Sequence, residues 1–236
     1  NVIFFFVGND VTFAYSANNG SINVNNTYLT DFLINPNGVT VGQNTVPFVA
    51  ENGFITNNVT DATVGATGIA GLVMNTKVGL QSFSKNNTPV GAVYAKTKTL
   101  NNGTITMTGR PTDGAVAMYT KYGKVENSVS GKVNIEDDNS IGLYGIDSSQ
   151  VLNTGTVNVK GNSSLGLYGV SDDLLNPTVT GASGVLLRQD ATGIINVEGT
   201  DSAGIYGTKV RTVAGKTYTV ENNGTINVNN GDSLGI

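Results

Sequence analysis

Four stretches of the chain repeat one order of apolar and polar positions. They read VNIEDDNSIGLYG from Val133, VNVKGNSSLGLYG from Val157, INVEGTDSAGIYG from Ile195 and INVNNGDSLGI from Ile226. In the first, Val133 and Ile135 fall on one side of an extended chain, and Asn134 and Glu136 on the other. A period of two predicts a β-strand. A polar run follows in each copy (EDDNS, KGNSS, EGTDS, NNGDS), where Asn, Asp and Gly tolerate the left-handed backbone of a tight corner. A second alternating run then begins, with Ile141 and Leu143 expected on one face and Gly142 and Tyr144 on the other. A third apolar stretch lies between copies, around Val151, at 184–187 and at 218–220.

The copies start 24, 38 and 31 residues apart. Three short strands per recurring unit predict an all-β chain folded as a parallel β-helix, a three-strand-per-rung solenoid with corner loops. Unequal spacing is harmless there, because one corner of a rung can bulge without shifting the cross-section. A lone rung orders too many residues for the few side chains it buries, so the copies must stack. Val133, Val157, Ile195 and Ile226 are expected inward in one column, and Leu143, Leu167, Ile205 and Ile236 in another. Residues 101–236 read as regular rungs; 101–119 is a looser copy, with Ile105 and Met107 inward. Residues 1–100 match weakly, at 18–24 and 51–59, and read either as irregular rungs with longer loops or as a small β subdomain in which 35–38 turns a hairpin. The chain begins at Asn1 and stops at Ile236 within a repeat, with Leu234 and Ile236 in core phase, so further repeats are expected beyond it.

Two polar positions do not vary among the copies. One is Asn134, Asn158, Asn196 and Asn227; the other is Ser140, Ser164, Ser202 and Ser233. Stacked at equal height, they form structural ladders along the rod. Gly142, Gly166, Gly204 and Gly235 recur for a backbone reason, a bend or a close approach.

Composition narrows the function. Of 236 residues, 13% are charged and the net charge is −4, which supplies no basic face for a nucleic acid. There is no Cys and no His, so there is neither a disulfide framework nor the usual general base. No cofactor and no metal site are indicated. The apolar start, NVIFFFV, is too short to span a bilayer, and membrane insertion of this segment is not expected.

The phrases GTINV…NNGDSLGI, GTVNVKGNSSLGLYG and GIINVEGTDSAGIYG resemble the passenger repeats of the large type V autotransporter adhesins of fusobacteria and their relatives, the RadD-like proteins. The resemblance is good over 128–236, partial over 101–127 and weak before that. It implies a right-handed β-helical passenger at the bacterial cell surface, preceded by a signal peptide and anchored by an outer-membrane β-barrel in the same full-length chain. It also implies attachment to a host-cell receptor or to a partner bacterium, in some relatives through galactose-type glycans.

The candidate ligand-binding residues divide into a strip and a set of loops. Tyr144, Tyr168 and Tyr206 share one outward position and would form either an aromatic strip for sugar rings or a partner protein, or a ladder packed on itself. Tyr28, Phe48 and Tyr94, with Phe32 and Phe83, lie in the expected excursions at 26–50, 72–100 and 170–184, where loops on a rigid scaffold carry function. Glu136, Asp137 and Asp138, and Asp172 and Asp173, form acidic corners. Such corners could serve a polysaccharide-cleaving enzyme or calcium, but read better as solvated turns. Lys209, Arg211 and Lys216 form a small basic patch on an exposed loop. No nucleophile or catalytic residue is nominated. A β-helical carbohydrate-active enzyme and a purely structural surface fibre remain the alternatives to an adhesin.

Overall fold

The computed structural model describes residues 14–17, 21–24, 48–51, 53–58, 61–64, 67–70, 72–74, 78–83, 97–108, 114–171, 184–208, 212–213, 216–217 and 220–236. They form a three-sheet parallel β-helix. Sheet 1 carries the six-residue strands, among them Val78–Phe83, Val116–Lys121, Ile141–Ile146, Leu165–Val170 and Ala203–Thr208. Sheet 2 includes Phe54–Asn57, Lys98–Asn101, Lys124–Asn127, Gln150–Asn153 and Leu186–Gln189. Sheet 3 includes Thr104–Met107, Lys132–Ile135, Thr156–Val159, Ile194–Val197 and Thr225–Val228. The chain visits the sheets in that order, and each strand pairs in parallel with its counterpart one rung on. Strands before residue 100 join the same sheets: Ala14–Ala17 pairs with Phe48–Glu51, and Ser21–Val24 with Phe54–Asn57. A short antiparallel hairpin, Asp61–Val64 with Thr67–Ala70, is inserted among them.

Most of the unequal spacing falls at one corner, while the turn from sheet 2 to sheet 3 varies between two residues, at 154–155, and four, at 190–193. In the shortest rung, residues 147–149 join Ile146 of sheet 1 to Gln150 of sheet 2. The same corner holds 171–185 one rung later and 209–220 in the rung after that. The turn from sheet 3 back to sheet 1 keeps its length through these copies, because it is the turn the repeated sequence encodes. Its left-handed residue is Asn139, Ser163 or Asp201, at φ 55°, 53° and 52°, directly before the invariant Ser.

The first expected core column forms, and the second forms through Ile205, while Ile236, expected in it, is 60% exposed. Val133, Val157, Ile195 and Ile226 are register partners, preceded by Ile105, and Leu143, Leu167 and Ile205 are partners on sheet 1. All except Ile226, which packs against the core from its edge, are fully buried. The phase of the second strand differs from the expected alternation. Gly142 and Leu143 are both buried, while Ile141 is only half-buried. The strand dips at Gly142, where a Cβ would meet Val157 Cγ1 at 3.2 Å and the Gly166 carbonyl oxygen at 2.6 Å. Ile141, Leu165 and Leu234 therefore occupy an outward position; Leu234, expected in core phase, bridges to Ala203 and is 62% exposed.

The Asn column bonds side chain to side chain. Asn158, Asn196 and Asn227 each donate from Nδ2 to the Oδ1 of the Asn one rung earlier at 2.8, 2.8 and 2.9 Å. The Ser column works differently. Each hydroxyl accepts a backbone N–H from the preceding rung, as from Ser140 N to Ser164 Oγ and from Ser164 N to Ser202 Oγ, both at 3.0 Å. It then donates to a carbonyl, as Ser140 does to Asp138 at 2.9 Å. The Ser residues thus satisfy buried backbone at the corner.

A second amide column, unnoticed in the repeat, runs through the interior at the end of sheet 2. Asn57, Asn101, Asn127, Asn153 and Gln189 are all fully buried. Nδ2 of each Asn donates to the side-chain oxygen of the next residue at 2.8, 2.8, 2.9 and 3.1 Å. Gln189 passes the chain on to the Thr225 carbonyl at 2.9 Å. Further bonds from these amides reach carbonyls at the turn into sheet 3, such as those of Gly131 and Thr156.

Candidate functional site

The three outward faces differ in chemistry. Sheet 2 presents charge: Glu126 lies 2.6 Å from Lys98 and 2.8 Å from Lys124. Burial alone would raise the Glu126 carboxyl, but hydrogen bonds from Lys124 and Lys98 override it and hold the group below the usual carboxylate range. Further along, Arg188 meets Asp190 and Glu221. Sheet 3 presents the Asn column. Sheet 1 presents apolar surface: in its two central strands Ile141, Tyr144 and Ile146 stand beside Leu165, Tyr168 and Val170. All six are half-buried and face outward. Neither strand contains a charged residue. Sheet 2 mixes its charges with the outward Leu100, Leu152 and Leu186, so the uncharged outward face of these two sheet 1 strands is the candidate contact surface.

The tyrosines run through its centre in register, Tyr119, Tyr144, Tyr168 and Tyr206. Ring centroids are 5.4, 4.9 and 5.9 Å apart, with interplanar angles of 72°, 30° and 14°. From Tyr144 onward the rings stack on one another. Their faces are used along the column, and ring edges and hydroxyls are what Tyr144 and Tyr168 offer to a partner; Tyr206 is 46% exposed. Tyr119 was not singled out from sequence, because its strand belongs to the looser copy. The repeated Tyr phase, carried one copy upstream, would have found it.

At the column's start, Lys121 Nζ lies 3.3 Å from Asp147, which is almost wholly buried, and 5.4 Å from the Tyr122 ring centroid. Burial, with the nearby Asp147 charge, pushes the Tyr119 phenol up to about 12. The folded chain thus holds this proton more tightly than the unfolded chain, whose tyrosine ionises near pH 10. The stability linked to it is intact below about pH 10 and is lost as pH rises towards 12. Alkaline unfolding of Tyr119→Phe should accordingly show a shallower loss over that interval than the parent chain. Equal slopes would remove Tyr119 as the cause.

The other candidates disperse. Phe48 is a correction: at 7% exposure it belongs to the core and is not presented to a ligand. Part of the excursion expected at 72–100 is regular strand, and Phe83 ends the sheet 1 strand Val78–Phe83, half-buried. Tyr28, Phe32, Tyr94, Asp172, Asp173, Lys209 and Arg211 lie outside the described residues, and Lys216 falls in a short hairpin with Thr212–Val213. The acidic corner spreads apart. Glu136 pairs loosely with Lys160 at 3.7 Å, and Asp138 accepts the Asn162 N–H at 2.7 Å. Asp137, expected in solvent, is 4% exposed because the next rung's Gly161 stacks directly upon it. Among the described residues, no group of three or more Asp or Glu side chains is placed to hold a metal ion, and no helix is long and apolar enough to cross a membrane.

Comparison of the chain with protein-family models, curated proteins and solved structures returns no match.

Proposed function

We propose that the chain is a segment of a bacterial surface adhesin, a passenger-type β-helix that attaches its cell to a host cell or another bacterium through the outward face of sheet 1. The observation that carries this reading is the uncharged, apolar character of that one face, Ile141, Tyr144, Ile146, Leu165, Tyr168 and Val170, where sheet 2 mixes charged residues with leucines and sheet 3 carries the Asn column. The repeat phrases of the passenger family support it, as does the low charge. The partner surface is uncharged where it meets this face: an apolar protein patch, or a neutral glycan held through tyrosine edges and hydroxyls. The segment sits outside the cell, and its anchor is the outer-membrane β-barrel of the same full-length chain.

A second reading, a stalk that only spaces the true binding region, is favoured by the use of the ring faces within the column. Binding of the soluble chain to host cells and partner bacteria separates the two. Ile146→Glu with Val170→Glu charges the face without touching the buried columns and should abolish binding, whereas Asn158→Asp on sheet 3 should leave it. A chain that binds no cell, while its full-length parent mediates attachment, is a stalk. Cleavage of a polysaccharide by the purified chain would instead establish the enzyme alternative.

A further inference from the structure

We infer that the tyrosine column is an oxidative cross-linking site, in which one-electron oxidation joins Tyr168 to Tyr144 or Tyr206 as dityrosine and staples adjacent rungs covalently. The parallel register fixes Tyr144, Tyr168 and Tyr206 at the same strand position on successive rungs. The rings lie at 4.9 Å and 30°, and at 5.9 Å and 14°, stacked on side chains that leave their strands from the same register position. Tyr119 meets Tyr144 edge-on at 72° and is poorly placed for the same bond. The column is half-buried to exposed, open to a diffusing oxidant.

The rest of the chain directs oxidation there. It contains no Cys, Trp or His. Of its three Met, Met107 and Met118 are buried. One-electron oxidants therefore act chiefly on the nine tyrosines, and among these a radical formed on Tyr144, Tyr168 or Tyr206 has a stacked ring already beside it.

The chemistry balances with a named oxidant, a one-electron acceptor such as a peroxidase intermediate or a photo-oxidised metal complex. Each of two tyrosines gives up one electron and its phenolic proton. The two radicals form one carbon–carbon bond between ortho positions. Each joined carbon then loses its hydrogen as a proton while the phenolate oxygen regains one. The net change is two electrons to the oxidant and two protons to water. The product constrains the unfolded chain much as a disulfide does, in a protein that has no disulfides.

The test uses the 236-residue chain, a ruthenium tris-bipyridine photo-oxidant with persulfate, and tryptic mass mapping of the monomer fraction. Cleavage at Lys132, Lys160, Arg188 and Lys209 places Tyr144, Tyr168 and Tyr206 on separate peptides, 133–160, 161–188 and 189–209. Expected are cross-linked pairs of 161–188 with each neighbour, two hydrogen atoms lighter than the sum. Their yield should fall roughly tenfold in urea, where fixed proximity is lost. Tyr168→Phe, which keeps the ring, should lose both pairs; Tyr119→Phe should keep them. Tyrosine consumption without these pairs, dityrosine only between molecules, an undiminished yield in urea, or retention of the pairs by Tyr168→Phe would each overturn the inference.

Discussion

Asn127→Ala is expected to lower the unfolding free energy by about 3–5 kcal/mol, the sum of several buried groups each losing a partner at about 1–3 kcal/mol. Asn127 sits in the middle of the interior amide column. Its Oδ1 accepts from Asn101, and its Nδ2 serves Asn153 and the carbonyls of Gly131 and Thr156. Removing it strands a donor on one rung and acceptors on two others, in a space closed to water. The matched control is Asn158→Ala in the outward column, where solvent replaces the lost bonds and the expected loss is about 1 kcal/mol. Urea unfolding followed by circular dichroism measures both. Equal losses at the two sites would show that burial does not set the weight of the amide columns.

Gly199→Ala is expected to be comparably damaging, at roughly 3 kcal/mol. A Cβ there would stand 2.0 Å from the carbonyl oxygen of Gly161 and 2.6 Å from its carbon. Both are backbone atoms held in the stack, so the clash cannot be relieved by turning a side chain. The rungs must part locally, and the hydrogen bond from Ser202 Oγ to the same carbonyl goes with them. Gly231→Ala gives the contrast. Nothing lies within 4 Å of its added Cβ, and its effect should stay within about 0.5 kcal/mol. Thermal unfolding of the two variants reads the difference, and a stable Gly199→Ala would mean that the rungs are less closely stacked at this turn than described.

What the sequence made legible was phase. Val133, Val157, Ile195 and Ile226 stand at one offset in four copies, and the strands place them in one column because a period of two leaves no other register. The Asn and Ser columns were legible for the same reason. The interior amide column was not, because its offset varies: Asn101 and Asn153 stand two residues before a Gly, Asn127 and Gln189 four. Gln189 also replaces the Asn. The dip at Gly142 was hidden because a residue without a side chain gives hydropathy nothing to register. Hence the alternation places Ile141 and Leu234 inward, where the structure has them outward. With Ile141 and Leu165 outward, the strip of tyrosines already expected on that face is widened by two more apolar residues. Phe48 and part of the 72–100 excursion were misread because upstream copies lack the Asn and Ser markers that fix the register downstream.

The central claim is that insertions are absorbed at the corners between sheets, so residues at unequal sequence distance become direct neighbours on an unbroken face. Disulfide trapping tests it directly, because the chain has no Cys of its own. Asn158 and Asn196 are 38 residues apart in sequence yet register partners. The double variant Asn158→Cys with Asn196→Cys should oxidise rapidly to an intramolecular disulfide, since neighbouring strands lie about 4.8 Å apart and the bond tolerates Cα separations of about 4.4–6.8 Å. Asn134→Cys with Asn196→Cys spans two rungs and should remain reduced under the same conditions. A disulfide in the second pair and none in the first would contradict the stacking on which the faces, the columns and the proposed contact surface all depend.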